Sequence, residues 1–167
     1  MKKKVAIIGA GISGLIFANL LKKNTEYEFT IYEKKTSLDL SDGYGVQLSI
    51  NSVSILNKIG FGVLKAENKF NPKKIDFYSL KDKNKICDLD ISQFNLENVC
   101  YTTLKRSLLI EFLREKLFTN SVQFNKKIAQ INCSNSRVEI AFEKNTTETF
   151  DYLVVADGIF SSTKSIL

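Results

Sequence analysis

Two runs of hydrophobic residues near the N-terminus flank a stretch that contains three glycines. Lys3–Ile8 is rich in Val and Ile and alternates little, which predicts a strand buried on both faces. Residues 28–33 alternate with period two and include β-branched and aromatic side chains, which predicts a second strand. A helix fits between them, from Ile12 to about Lys23. The pattern therefore predicts a β-α-β unit of ordinary size.

The middle of the chain predicts shorter elements. Residues 43–48 have the pattern of a glycine-kinked strand, and a short helix follows with Asn51 or Ser52 as its N-cap. Residues 75–80 and 85–91 predict the two strands of a hairpin around a polar turn. We expect this hairpin to lie in a small insertion.

The longest predicted helix covers residues 104–118, with Thr103 as its N-cap. Apolar side chains recur at helical spacing on one face, which predicts that this face packs in the core. They are Leu109, Phe112, Leu113 and Leu117.

The last third of the chain predicts short strands joined by Asn and Ser turns, which favours a β-meander over another β-α-β crossover. The predicted strands cover residues 122–124, 127–133, 137–142 and 148–150. An apolar strand then runs into Asp157-Gly158, and residues 159–167 fit one or two helical turns. One α/β domain is expected over residues 1–167.

Charge and composition exclude several kinds of chemistry. The chain has 167 residues, 24 Lys plus Arg, 18 Asp plus Glu and a net charge of +6. Only Arg106, Arg114 and Arg137 are arginines, and the lysines are scattered, so we expect a solvated basic surface rather than a nucleic-acid site. Without any His, the chain offers no imidazole base, no Ser-His-Asp triad and no His-rich zinc site. We predict no metal site.

The cysteines and the N-terminus bear on the cellular compartment. Cys87, Cys100 and Cys133 form no C-x-x-C pair, which is typical of reduced thiols in a cytoplasmic protein and predicts small core residues. Lys2–Lys4 followed by an uncharged run imitates a signal peptide, but the run contains three glycines and no Ala-x-Ala site follows it. A cytoplasmic location is expected, secretion is the alternative, and the run falls short of a membrane span.

The glycines at positions 9, 11 and 14 form G-x-G-x-x-G between the first strand and the helix. Gly9 allows the tight turn, Gly11 lets a pyrophosphate approach the backbone, and Gly14 allows close packing of helix and strand. The helix N-terminus adds free N–H donors. Glu33 follows about 20 residues later and can accept hydrogen bonds from ribose hydroxyls. The alternative is a glycine-rich turn with an exposed Glu.

NAD and FAD sites both use a carboxylate at this position. Lys34 and Lys35 are also compatible with a cofactor that carries a 2′-phosphate, such as NADP. The order of elements favours FAD, because a nicotinamide domain would continue with further parallel β-α units. In several ordered motifs the whole chain resembles FAD-dependent aromatic monooxygenases of the para-hydroxybenzoate hydroxylase type, including salicylate and ubiquinone-pathway hydroxylases. The motifs are G-A-G-I-S-G at 9–14, Y-E-K at 32–34, G-Y-G-V-Q-L-S-I-N at 43–51, L-K-R-S-L-L at 104–109 and V-V-A-D-G-I-F-S-S-T-K at 154–164.

The resemblance implies a Rossmann-like, glutathione-reductase-like FAD-binding fold with a β-meander and a small inserted hairpin. Residues from about 70 to 100 would begin a substrate-domain insertion. The family's later Gly-Asp motif does not occur here, so the chain resembles a C-terminally truncated form that lacks a half or a partner subunit. Ile50 and Lys164 depart from the Pro and Arg usual in the family.

The resemblance also implies roles for twelve FAD-binding residues. The pyrophosphate would be held by Gly9, Gly11, Ser13 and Gly14. Glu33 would bind the ribose, Lys34 would lie on the adenosine side, and Ile128 would touch the adenine through its backbone. Gly45 and Val46 would offer backbone groups near the flavin ring, and Arg106 would pair with the phosphate or ribityl region. Asp157 and Gly158 would serve FAD and the NAD(P)H that reduces it. The alternatives are a solvated Arg106 and a simple strand-ending turn at Asp157-Gly158.

The implied activity is that of an oxidoreductase. NAD(P)H would reduce FAD, O₂ would form a flavin C4a-hydroperoxide, and one oxygen would pass to an aromatic or similar small substrate. No catalytic residue is assigned, and the isolated chain is expected to be an inactive fragment. The alternatives are a non-catalytic dinucleotide-binding module and an NAD(P)-binding oxidoreductase domain.

Overall fold

The computed structural model of the chain describes residues 1–38, 40, 44–143 and 146–167. Two compact units are present. The first unit combines Met1–Leu40 with Ile110–Leu167, and the second unit is Ser41–Leu109. Gly43, the first residue of one predicted strand, lies outside the described residues.

The described residues form three α-helices and eleven strands. The helices are α1 (Ile12–Leu21), α2 (Ile50–Asn57) and α3 (Arg106–Glu115). The strands are β1 (Lys3–Ile8), β2 (Tyr27–Tyr32), β3 (Gly45–Leu48), β4 (Lys74–Tyr78), β5 (Lys85–Asp90), β6 (Thr102–Lys105), β7 (Val122–Gln123), β8 (Ile128–Cys133), β9 (Val138–Phe142), β10 (Thr146–Phe150) and β11 (Tyr152–Val155).

The first unit is built on a parallel sheet with the strand order β11-β1-β2-β7. Its predicted β-α-β unit is confirmed, because β1, α1 and β2 follow one another and the two strands pair in parallel. The predicted meander is confirmed for β8, β9 and β10, which form a separate antiparallel sheet. The α/β fold with a meander therefore matches the expectation.

Alternate residues of β1 serve opposite faces of the parallel sheet. Ala6 and Ile8 pack with Tyr32 and with side chains of the meander, namely Ile128, Ile131, Ile140, Phe142 and Phe150. Ile7 lies toward α1, where its Cγ2 is near Gly14. The parallel sheet thus has α1 on one face and the meander on the other.

One buried polar side chain links the two helical segments of the first unit. Asn19 in α1 is 4% exposed. Its Nδ2 donates hydrogen bonds to the carbonyl oxygens of Leu15 and Leu113, both at 2.8 Å. Because Leu113 lies in α3, this amide joins α1 to the C-terminal part of α3.

The second unit contains two small antiparallel sheets. In the first, β3 pairs with β6, and Phe70 bridges to Thr103 on the other side of β6. In the second, β4 pairs with β5, which confirms the predicted hairpin. The helix α2 follows β3 directly, as expected, but its N-cap is Ser49 rather than Asn51 or Ser52.

The predicted N-cap at Thr103 is wrong. Thr102–Lys105 is a strand, and α3 begins at Arg106 and ends at Glu115. Thr103 faces Gln47 in β3, and its N–H and carbonyl oxygen bond to Phe70. Pairing on both sides of β6 therefore overrides the local signal for a cap. The predicted core face is nevertheless confirmed, because Leu109, Phe112, Leu113 and Leu117 are all buried.

Two further predictions from the sequence are wrong. The sequence predicts residues 122–124 as part of the meander, but Val122–Gln123 pairs in parallel with β2. The crossover from β2 to β7 passes through the second unit and α3, too long a segment for local periodicity to connect. The cysteines are not core residues, since Cys87 and Cys133 are exposed and Cys100 is partly exposed. None of the helices within the described ranges is long and apolar enough to cross a membrane.

The bridging amide gives a test of the packing between α1 and α3. We expect Asn19→Ala to lower the free energy of unfolding by about 1–3 kcal/mol, because the buried Leu113 carbonyl loses its donor. Urea unfolding measures the change. The matched control is Asn132→Ala at an exposed position, which should change stability by less than about 0.5 kcal/mol. Equal stability of the two variants would contradict the bridge.

Candidate functional site

The carboxyl ends of β1, β2 and β11 meet at one edge of the parallel sheet, the usual place for ligands in open α/β sheets. Gly9 follows β1 and has a φ of 101°, a conformation that strongly favours glycine. Its N–H donates to the carbonyl oxygen of Tyr32 at 2.8 Å. A Cβ on Gly9 would lie 2.6 Å from the carbonyl oxygen of Ala156. Gly9 therefore lets three chain segments converge.

The other two glycines of the motif have different surroundings. A Cβ on Gly14 would lie 2.1 Å from the carbonyl oxygen of Gly9, so Gly14 is required for α1 to pack against the end of β1. A Cβ on Gly11 would meet nothing within 4 Å. The space in front of Gly11 is therefore open to a ligand.

The first turn of α1 directs backbone donors toward this space. Leu15 makes the first helical hydrogen bond, from its N–H to the carbonyl oxygen of Gly11 at 3.0 Å. The N–H groups of Ile12, Ser13 and Gly14 precede it and have no partner within the helix. With the positive end of the helix dipole they favour an anion such as a pyrophosphate. The Ser13 side chain is exposed at the same turn.

Glu33 comes directly after β2, and its polar groups are held on all sides. Its Oε2 accepts a hydrogen bond from the N–H of Ala10 at 2.9 Å, and its Oε1 accepts one from the N–H of Lys35 at 2.9 Å. Its own N–H donates to Gln123, and its carbonyl oxygen accepts from the N–H of Lys126. The carboxylate is thus fixed beside the glycine loop, with lone pairs left for further donors.

Asp157 follows β11 and is partly buried. Its Oδ2 accepts hydrogen bonds from the hydroxyl of Thr163 at 2.8 Å and from the N–H of Thr163 at 3.2 Å. Its Oδ1 is buried and has no hydrogen-bond partner in the part of the chain that the structure describes. An acceptor in that position calls for a donor from a bound molecule or water.

Opposing influences set the pKa of Asp157. Burial raises the pKa, but the hydroxyls of Ser161 and Thr163 and the Thr163 N–H stabilise the charged form, and the pKa falls below its usual value of 3.8. The Ser161 hydroxyl does so without forming a hydrogen bond to Oδ1. Asp157 is therefore a carboxylate at neutral pH.

The remaining predicted residues of the first unit have less defined surroundings. Lys34 is exposed directly after Glu33. Gly158 is exposed and has a φ of 87°. Ile128 begins β8, where its side chain is 8% exposed and packs in the core, which leaves only its backbone for a ligand.

Gly45, Val46 and Arg106 lie together in the second unit. Gly45 and Val46 begin β3 opposite Lys105 and Leu104 of β6, and Arg106 follows β6 directly. The Arg106 N–H donates to the carbonyl oxygen of Tyr44 at 3.1 Å. Its guanidinium carbon lies 5.6 Å from the centre of the Tyr44 ring. Arg106 is therefore tied to the segment that precedes Gly45.

Sequence reasoning missed three residues that shape this site. Ala10 fixes the Glu33 carboxylate through its N–H, Thr163 holds Asp157, and Lys126 fixes the Glu33 backbone. The motif spacing pointed to Glu33 and Asp157 but gave no sign of these donors. Within the described ranges, no group of three or more Cys, Asp or Glu side chains is placed to hold a metal ion.

Several known proteins are similar to this chain. Residues 7–38 match the family described as "NAD(P)-binding Rossmann-like domain". The 3-amino-4-hydroxybenzoate 2-monooxygenase of Streptomyces cremeus is 26% identical over 160 residues, which cover 95% of this chain and 40% of that protein. The FAD-dependent monooxygenase dpchE of Colletotrichum higginsianum is 30% identical over 172 residues, covering 98% of this chain and 36% of that protein.

The fold has solved counterparts. A salicylate hydroxylase in complex with substrate superposes with a TM-score of 0.79 at 21% identity, over 99% of this chain and 38% of that one. Together these similarities confirm the Rossmann-like fold and the resemblance to FAD-dependent aromatic monooxygenases. The chain spans well under half the length of the curated relatives it matches, between 34% and 43%.

The glycine loop predicts opposite outcomes for two substitutions of the same kind. Gly14→Ala should lower the free energy of unfolding by about 1–3 kcal/mol or more, because its Cβ would overlap the Gly9 carbonyl. Gly11→Ala should leave stability nearly unchanged, because its Cβ points into open space. Thermal unfolding of both variants tests the geometry, which would be contradicted if Gly11→Ala were the less stable variant.

Asp157 predicts a pH dependence. Because its pKa is lower in the folded chain than in the unfolded chain, ionised Asp157 stabilises the fold above a pH of about 4, and this contribution is lost as the pH falls through the folded-state pKa. The parent chain should therefore be more stable than Asp157→Asn at pH 7, by a margin that shrinks toward pH 3. Urea unfolding at both pH values measures the margin. A margin independent of pH would contradict the assignment.

Proposed function

We propose that this chain is the FAD-binding part of an NAD(P)H-dependent monooxygenase that hydroxylates an aromatic or similar small molecule. The observation that carries the proposal is the convergence of the open glycine loop, the fixed Glu33 carboxylate and Asp157 at one edge of the parallel sheet. The names of its relatives support FAD and aromatic substrates.

The first unit fits the pyrophosphate and adenosine half of FAD. The N–H groups of the first turn of α1, with Gly9, Gly11, Ser13 and Gly14, would hold the pyrophosphate in the space in front of Gly11. The Glu33 carboxylate would accept hydrogen bonds from the ribose, with Lys34 and the Ile128 backbone on the adenosine side. The buried Oδ1 of Asp157 would receive a donor from the cofactor, beside Gly158.

The second unit supplies the candidates for the flavin end. Gly45 and Val46 would offer backbone groups to the ring, and Arg106 would pair with the phosphate or ribityl region. Bound FAD would take a hydride from NAD(P)H and activate O₂ for transfer of one oxygen atom to the substrate. These residues bind and orient, and no side chain of this chain is assigned a proton-transfer step.

We further propose that residues 1–167 are an FAD-binding domain whose residues 70–100 begin a substrate-domain insertion. The β4-β5 hairpin supports this, because an isolated two-stranded hairpin is only marginally stable. Its one face carries Ile75, Phe77, Cys87 and Leu89, of which Phe77 is 48% and Leu89 42% exposed. Further polypeptide, as a C-terminal half or a partner subunit, would complete this sheet and supply the substrate pocket.

The location proposed is the cytoplasm, without a nucleic-acid partner. The support is chemical: Cys87, Cys100 and Cys133 are all free thiols, as reducing compartments allow. The scattered lysines of the sequence offer no concentrated phosphate-binding face.

Two alternatives make different predictions for ligand binding. A non-catalytic dinucleotide module would bind FAD without transferring electrons to it from NAD(P)H. An NAD(P)-binding oxidoreductase domain, favoured by the family that matches residues 7–38, would be stabilised against heat by NADP and not by FAD.

The test is a titration of the purified chain with FAD, followed by flavin fluorescence and visible absorption, with NADP as the competing ligand. We expect saturable binding of FAD. Gly11→Val should weaken binding by about 100-fold, because its side chain fills the pyrophosphate space, and Glu33→Ala by about tenfold, because the ribose loses charged acceptors.

Matched controls are available at positions that are not candidates for the site. Gly62→Val adds a side chain where a Cβ would meet only Asn57 at 3.8 Å, and Glu28→Ala removes an exposed carboxylate that pairs with Lys4. Both should bind FAD as the parent does. The proposal fails if Gly11→Val and Glu33→Ala bind FAD as tightly as these controls.

A further inference from the structure

A closed ring of hydrogen bonds joins Tyr32, Glu148 and Lys126 to the backbone of Glu33. The Tyr32 hydroxyl donates to Oε2 of Glu148 at 2.6 Å. Oε1 of Glu148 accepts from Nζ of Lys126 at 3.3 Å, and the N–H of Lys126 donates to the carbonyl oxygen of Glu33 at 3.0 Å. The peptide bond between Tyr32 and Glu33 closes the ring.

The ring has a buried end at Tyr32, while the side chains of Lys126 and Glu148 are 22% and 36% exposed. Tyr32 is 1% exposed, and its ring packs against Phe142 and Phe150 at centroid distances of 4.8 and 5.8 Å. The Lys126 ammonium lies 4.7 Å from the centre of the Phe142 ring. Burial and the Glu148 carboxylate both raise the pKa of Tyr32, so its hydroxyl keeps the proton that it donates.

Each end of the ring acts on a neighbour of the Glu33 carboxylate. Tyr32 holds the glycine loop through its carbonyl oxygen, which accepts the N–H of Gly9. Lys126 holds the Glu33 carbonyl, and the preceding Asn125 donates its N–H to Lys35 at 3.0 Å. The chain on both sides of the carboxylate is therefore fixed by groups anchored to β10.

We propose that Tyr32, Glu148 and Lys126 are positioning residues that hold the Glu33 carboxylate at the angle needed for a ribose. This inference rests on the proposed function, because it assigns the ring a purpose in binding the adenosine half of FAD. Outer groups that orient a binding side chain contribute to affinity without touching the ligand. Tyr32→Phe leaves in place the Tyr32 carbonyl oxygen that accepts the N–H of Gly9, so we expect loss of the hydroxyl to act on binding through Glu33.

The experiment is a double-mutant cycle between the ring and Glu33. Tyr32→Phe keeps the aromatic packing and removes the hydroxyl, and we expect it to raise the Kd for FAD about three- to tenfold. In the Glu33→Ala background, Tyr32→Phe should change the Kd less than about 1.5-fold. A purely structural role would instead give the same fold-change in both backgrounds, which would overturn the proposal.

A second variant tests the ring independently of any effect that Tyr32→Phe has on folding. Lys126→Met removes the ammonium and keeps an apolar stem over Phe142, and it should reproduce the effect of Tyr32→Phe. The control is Glu143→Gln, which breaks the ion pair of Glu143 with Lys127 outside the ring. Glu143→Gln should leave the Kd for FAD unchanged, and a rise equal to that of Lys126→Met would overturn the proposal.

A readout without ligand separates this inference from the proposed function. The N–H groups of Ala10 and Lys35 bond to the Glu33 carboxylate, so Tyr32→Phe should speed their hydrogen exchange and leave that of Leu153 in β11 unchanged. Unchanged exchange at both amides would overturn the ring. Faster exchange in a chain that does not bind FAD would support the ring and contradict the FAD proposal.

Discussion

The candidate site depends on one close approach, that of α1 to the end of β1. The carbonyl oxygen of Gly9 occupies the place where any side chain on residue 14 would lie, and Gly9 in turn lies against Ala156. Two glycines therefore let α1, β1 and β11 meet at one edge of the sheet. With this approach, the first turn of α1, the Glu33 carboxylate and Asp157 lie at the same edge of the sheet.

The antiparallel meander supports the candidate site from one face of the parallel sheet. Its apolar side chains fill the face of the parallel sheet that α1 does not cover, around the ring of Tyr32. Tyr32 is buried, and the next residue, Glu33, lies at the sheet edge that carries the candidate site. A core residue and a candidate binding residue are therefore neighbours at the end of β2. Glu148 and Lys126 extend that connection with polar contacts. The meander that stabilises the core thus also contacts the segment that carries the Glu33 carboxylate.

Local patterns predicted the elements that carry their own signal. The unbroken apolar β1, the spaced glycines and the alternating hairpin strands each place their information within a few residues. The sequence could not show that Thr103 would lie in a strand with partners on both sides, or that Val122 would pair with β2. These contacts connect segments that are distant in the sequence. The backbone donors of Ala10 and Lys126 were hidden for a similar reason: every residue has an N–H, and only the fold decides which acceptor it meets.

The central claim is that the glycine loop and Glu33 form the adenosine end of an FAD site. The most direct measurement is the change in backbone amide NMR shifts of the labelled chain when FAD is added. We expect the largest changes at residues 9–14, 33–34 and 157–158. Unchanged amides at these positions at saturating FAD would contradict an FAD site there, as would changes clustered at the opposite edge of the parallel sheet, around Lys2, Thr25 and Tyr152.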